Sequence, residues 1–206
     1  MTIQSNIIGI FPTPIYTSKL NRQLSKEELS FIDKTKLNVY SNDGNTTSKD
    51  NNILENIVFK NLKDDLYLRV KDYFDKIVSS SNNITPYITQ SWLNYTETNQ
   101  FHHKHSHPNS LVSGLFYINC HEEYDKINFF NDNYKSIVLD VENYNLYNSE
   151  TCLLSVKTGD IILFPSSLHH SVETKQGNNT RISLAFNVFV KGNIGNVKNL
   201  THLKLI

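Results

Sequence analysis

The spacing of apolar residues changes near residue 86. Before that point it is helical. Ser25 followed by Glu28 forms a capping box, which predicts a helix over residues 26–36. Leu62, Leu66, Val70, Tyr73, Phe74 and Ile77 recur near every third or fourth position, which predicts a second helix over 62–78 with one stripe packed on a sheet. Residues 7–16 alternate apolar positions around two prolines and read as an edge strand with a bend. Residues 40–52, YSNDGNTTSKDNN, are polar and rich in breakers, and read as a loop. After residue 86 the runs become short and β-rich: 87–96, 111–119, 126–130, 136–141, 152–157, 160–164, 171–174 and 181–190, most of them separated by Asn, Asp, Gly, Ser or Pro. About eight strands after two helices predict a mainly β fold. Its core is a double-sheet jelly roll (a double-stranded β-helix), with the two N-terminal helices packed outside. No repeat or linker interrupts the chain, so residues 1–206 read as one domain. An N-terminal strand and helices occupy 1–85, the jelly roll 86–190, and a tail 191–206 packs along the domain edge.

Charge narrows the partner classes. Twenty Lys and Arg balance twenty Asp and Glu, so there is no bulk attraction to nucleic acid; a small-molecule or protein side-chain substrate fits better. Cys120 and Cys152, with no CxxC, read as packing thiols. The first residues lack a basic region followed by an apolar one, and no run approaches the roughly 18 apolar residues of a membrane span. The expectation is a cytoplasmic protein that does not bind membranes. Its oligomeric state is left open, a homodimer included.

Four of the eight histidines fall within residues 102–107. His105 and His107 are two apart, which on an extended segment puts both rings on one face, where they can reach one metal ion at roughly 2.0–2.2 Å. A histidine-rich loop on the surface is the alternative. Further on, Gly159-Asp160 makes a turn, IILF a buried strand, and Pro165-Ser166-Ser167 a break before His169-His170, only one of which can face inward. Three ligands on one side of an ion leave positions open for substrate, as a catalytic site requires. Arg181 opens the apolar strand RISLAFNVFV and needs an anionic partner. That partner is either a local Asp or Glu, or a carboxylate clamped with help from the Ser183 hydroxyl on the same face.

Taken together, GIFPTPIY, SWLNY, HSHPNSLVSGLFYIN, TGDIILFPSSLHHSV, RISLAFN and KGNIGNVKNLTHLKL resemble the 2-oxoglutarate/Fe(II)-dependent oxygenases, and within them a small bacterial and phage branch. The resemblance spans almost the whole chain. It implies Fe(II), 2-oxoglutarate and O2 as cofactor and co-substrates, and admits ascorbate. It implies an oxidative decarboxylation that releases succinate and CO2 while a substrate is hydroxylated or otherwise oxidised. By position, His105 takes the first ligand role and His170 the last, with His169 a spectator. Arg181 and Ser183 match the clamp on the distal carboxylate of 2-oxoglutarate. Tyr117 matches a tyrosine that donates to the same carboxylate. Tyr95 matches a second co-substrate tyrosine, and Asn94 competes for that role. His107 stands where the family carries an acid, so either three histidines hold the metal or a carboxylate arrives from elsewhere. If the chain is phage-encoded, the expected location is the host cytoplasm.

Two other functions compete with this one. One is a cupin-like three-histidine enzyme that does not use 2-oxoglutarate; the other is a non-catalytic jelly-roll binding module. The polar and aromatic segment over residues 130–150 reads either as a cover for the site mouth or as a solvated loop.

Overall fold

The computed structural model describes residues 3–132, 137 and 139–206. The chain opens with an exposed segment, and its first strand, β1 (Tyr16–Lys19), starts where residues 7–16 were expected to end. Pro12 and Pro14 lack the N–H groups a strand needs, which moves the pairing downstream of them. Helix α1 (Lys26–Thr35) carries the capping box in full: Glu28 N–H donates to Ser25 Oγ at 3.2 Å and Ser25 N–H to Glu28 Oε2 at 2.7 Å.

Residues 40–52 are not all loop. Strands β2 (Val39–Ser41) and β3 (Thr46–Ser48) form a hairpin there, and β3 pairs with the next long strand. Their polar side chains hide a strand whose backbone is satisfied by an edge. Helix α2 (Lys60–Tyr73) buries Leu62, Leu66, Val70 and Tyr73 and runs on through one wider turn to Val78.

The β half follows as β4 (Ile84–Thr96), β5 (His102–His105), β6 (Val112–Asn119), β7 (Lys126–Phe130), β8 (Thr151–Ser155), β9 (Asp160–Pro165), β10 (His170–Val172), β11 (Arg181–Ile194) and β12 (Leu203–Leu205). Of the run expected over 136–141, positions 136 and 138 lie outside the described residues, and the other four belong to no strand. The large antiparallel sheet has the order β1-β9-β6-β11-β4-β3-β2, with β12 on the far end of β11; the small antiparallel sheet has the order β5-β10-β7-β8.

Alternation along the large sheet sorts its side chains. Leu93, Tyr95, Phe116, Leu184, Phe186 and Val188 join Ile32, Leu62, Leu66 and Val70 in the main core on the helix side. Close strand packing there depends on Gly114, where a Cβ would lie 2.1 Å from the Phe186 ring. The opposite face looks toward the small sheet, and Tyr117, Ile162 and Phe164 pack with Ile127, Phe129 and Val156 in a second, smaller core. Two facing antiparallel sheets with helices on one outer face give a mainly β architecture of the jelly-roll kind. No described helix is long and apolar enough to cross a membrane. Cys120 and Cys152 are both free thiols.

Candidate metal centre and acid-binding wall

The small sheet supplies one wall of a cavity between the sheets. His105 on β5 and His170 on β10 are direct cross-strand partners, and their rings lie 4.3 Å apart. His107, just past the end of β5, is held by its N–H donating to the Ser166 carbonyl at 2.9 Å. Its ring stacks on His170 at 5.2 Å and sits 5.0 Å from His105. The ligand atoms of His105, His107 and His170 all lie within 4.8 Å of one another, and among the described residues no carboxylate joins the cluster. His107 therefore completes a cluster of three imidazoles.

Two of these rings are oriented by backbone carbonyls. His105 Nδ1 lies 2.8 Å from the His103 carbonyl, and His170 Nδ1 lies 3.1 Å from the Leu168 carbonyl. A carbonyl only accepts, so Nδ1 carries the proton and Nε2 keeps the lone pair that a metal needs. Burial pushes His170 down to about 3 and His107 down to about 4, with the neighbouring imidazoles adding to both effects, and it lowers His105 as well. Neutral rings at pH 7 are the ligating form. Strand alternation turns His169 outward, where it pairs with Asp132 at 2.6 Å.

The large sheet supplies the facing wall in three rows. Arg181 pairs with Thr96; Ser183 pairs with Asn94 on one side and Tyr117 on the other; Ala185 pairs with Trp92 and Leu115. All eight line the cavity with the three histidines, His102 and Asn45. The Trp92 ring reaches across to His107 at 5.6 Å.

Arg181 is 4% exposed, and its Nη1 donates to Asp125 Oδ1 at 3.2 Å. Asp125 is fully buried, and its Oδ2 also accepts from the His121 N–H at 2.7 Å. Lys175 Nζ lies 4.0 Å from the same Asp125 oxygen and is otherwise taken up by the Gln176 carbonyl and Asn179. Two buried cations therefore face one buried carboxylate, and of the two Arg181 lines the cavity, where its remaining N–H donors favour an anion. The local ion pair and the clamp, alternatives in the sequence, are both compatible with this arrangement, because Asp125 uses only one guanidinium nitrogen.

Tyr117 Oη, Asn94 Oδ1 and Asn45 Nδ2 are buried on this cavity without partners among the described residues. Burial pushes the Tyr117 hydroxyl up, so it remains an O–H donor. These atoms and the three imidazoles form a donor set that suits a metal ion beside a carboxylate.

Tyr95 is a correction. It sits one residue from Asn94 and so on the other face of β4, where its hydroxyl donates to the Ile32 carbonyl at 2.6 Å. Of the two competing positions, Asn94 lines the cavity. Sequence reasoning missed Asn45, Thr96, Trp92, His102 and Asp125. Period two from Asn94 could have found Trp92 and Thr96; nothing local marks Asn45 or Asp125. In the segment over 130–150, positions 133–136 and 138 lie outside the described residues, and none of the described ones lines the cavity.

Residues 90–187 match the model of a family described as "Putative 2OG-Fe(II) oxygenase". No curated protein sequence matches the chain. Among solved structures, it is similar to HygX from Streptomyces hygroscopicus with nickel, 2-oxoglutarate and hygromycin B bound, at 15% identity and a TM-score of 0.58, over 85% of this chain and 82% of that one. It is also similar to the non-heme alpha ketoglutarate dependent epimerase SnoN from nogalamycin biosynthesis, at 10% identity and a TM-score of 0.62, over 86% and 76%. A 2OG-Fe(II) oxygenase family oxidoreductase from Burkholderia pseudomallei aligns at 12% identity and a TM-score of 0.51, over 84% and 83%.

Proposed function

We infer the activity from the family model that residues 90–187 match, "Putative 2OG-Fe(II) oxygenase": this chain oxidises a small-molecule or protein side-chain substrate, consuming 2-oxoglutarate and O2. The observation that carries this reading is the pairing of two walls, three metal-competent imidazoles opposite a buried arginine whose charge is only partly met. His105 and His170 would hold Fe(II) through Nε2, with His107 as the third ligand. Arg181 would grip the distal carboxylate of 2-oxoglutarate, with Ser183 and Tyr117 donating hydroxyls from the adjacent row. Fe(II) held there would supply O2 activation coupled to decarboxylation of 2-oxoglutarate to succinate and CO2, with the second oxygen atom available to oxidise the substrate. The protein contributes orientation and exclusion of water. Trp92 lies beside His107, with Ala185 and Leu115 in its row adding apolar surface, while Asp125 would hold the Arg181 guanidinium in place for the anion. The core that presents these residues is read as a double-stranded β-helix.

The test is direct. Purified protein loaded with Fe(II) is expected to bind 2-oxoglutarate with one site per chain and to convert it to succinate when O2 is admitted, followed by mass spectrometry. Metal uptake with no 2-oxoglutarate binding would transfer the site to the other three-histidine reading, an enzyme that does not use this co-substrate. The absence of both would leave a binding module.

A further inference from the structure

A metal and a diacid do not use every polar atom on the cavity wall. Arg181, Ser183 and Tyr117 serve the acid, but Asn45 Nδ2 and Asn94 Oδ1 are left, buried and without partners among the described residues. Asn45 is 3% exposed and comes from the turn between β2 and β3, outside the segment that matches the family. Its orientation is fixed: Oδ1 accepts from Asn42 Nδ2 at 3.0 Å, and that same Asn42 nitrogen lies 3.3 Å from His102 Nε2. The Asn45 amino group is therefore the unspent donor of a residue that lines the cavity. Asn94, 4% exposed on β4, offers an acceptor. Leaving both unmet costs free energy, which a ligand's own polar group would restore.

We propose that Asn45 and Asn94 form a recognition subsite for an uncharged group of the oxidised substrate that carries both an acceptor and a donor, an amide or a hydroxyl. The assignment of that group to the substrate rests on the oxygenase reading. Charge excludes the other classes. Arg181 is the one lysine or arginine among the described lining residues, and the co-substrate's carboxylate occupies it; Lys175 is spent on Gln176 and Asn179. A second carboxylate here would be buried with no cation, and an ammonium group would find no Asp or Glu on the wall. An amide carries both complements, a carbonyl for the Asn45 N–H and an N–H for Asn94 Oδ1.

N-methylacetamide, acetate and methylammonium serve as probes, titrated by NMR into the full chain with and without Ni(II) and 2-oxoglutarate. N-methylacetamide is expected to shift the Asn45 and Asn94 side-chain amides saturably in the loaded protein, and acetate and methylammonium not to. Asn45→Leu should weaken that binding about tenfold, the worth of one hydrogen bond. Asn45→Asp keeps the shape and replaces a donor by a charged acceptor, so the variant should lose the amide and gain methylammonium. A merely structural Asn45 would lower the melting temperature without reversing that preference. The proposal is overturned if N-methylacetamide does not bind, if Asn45→Asp keeps the parent's preference, or if Asn45→Leu weakens 2-oxoglutarate as much as loss of Arg181 does. Failure to bind metal and 2-oxoglutarate would sink the oxygenase reading separately, with the amide preference still readable in the metal-free chain.

Discussion

The large sheet carries α1 and α2 on its outer face, and twenty buried residues lock it there. Among the described residues no helix backs the small sheet in this way. Its two ligand-bearing strands are four and three residues long, their pairing is irregular between His170 and Val172, and the six buried residues between the sheets include three, Tyr117, Ile162 and Phe164, that belong to the large one. Lys104, Asp132 and His169 lie half-exposed on its outer side. The wall that would receive the acid is thus built by the fold, whereas the wall that would receive the metal brings three imidazoles together with few contacts of its own. A bound ion would supply the cross-link that the short strands lack.

Removing a ligand breaks this difference most severely. His105→Ala and His170→Ala are each expected to abolish stoichiometric Ni(II) or Fe(II) binding, measured by calorimetry. In the parent, metal at a hundred times its Kd should add about 2.7 kcal/mol to the unfolding free energy. The gain should be concentrated in slower amide exchange over β5 and β10, with β6 and β11 little changed. Uniform slowing across both sheets would show that the small sheet is not the looser wall.

Arg181→Ala should produce the complementary loss. It deprives Asp125 of its close partner, with Lys175 left at 4.0 Å, and breaking a buried pair costs roughly 3–5 kcal/mol. Affinity for 2-oxoglutarate should fall about a hundredfold, as expected for two charged hydrogen bonds, while metal affinity holds. Equal losses of metal and diacid would mean that the two walls do not act separately.

Acid should act on the small sheet first. The His170 and His107 imidazoles are held near about 3 and about 4 in the folded chain by burial, against about 6.5 when unfolded. The unfolded chain therefore takes up protons first as pH drops. Stability of the metal-free protein is full above about pH 6.5 and declines toward the folded values, by on the order of 3 kcal/mol for each ring by pH 4. Urea midpoints across this range would record it, and His170→Asn should flatten the curve. A parent curve already flat would remove burial as the cause.

How far these features can be read in the sequence follows from the range of the forces behind them. The capping box of α1 and the stripe of α2 are local, and both appear in the structure where residue spacing puts them. The spacing of two between His105 and His107 is local, whereas His170 was singled out from His169 by the family resemblance; the structure brings the three together. The hairpin β2–β3 was unreadable because its strands are polar and held by pairing to β4, a partner some fifty residues away. Asp125 was unreadable for the same reason, since it meets Arg181 fifty-six residues later. Tyr95 was misassigned because distance from a ligand along the chain says nothing about which face of a strand a residue takes.

The smallest effects come from that pair of faces on the large sheet. Tyr95→Phe removes the hydrogen bond to the buried Ile32 carbonyl, so it should cost about 1–2 kcal/mol and leave 2-oxoglutarate affinity unchanged. Tyr117→Phe removes a hydroxyl that has no partner among the described residues, so the empty protein should be as stable as the parent or slightly more so, while 2-oxoglutarate binds about tenfold more weakly. Urea titration and calorimetry on the two variants give four numbers with opposite expected patterns. If Tyr95→Phe weakens the diacid and Tyr117→Phe does not, the faces of β4 and β6 have been assigned the wrong way round. If both variants lose only stability, the acid is held by Arg181 and Ser183 without a tyrosine.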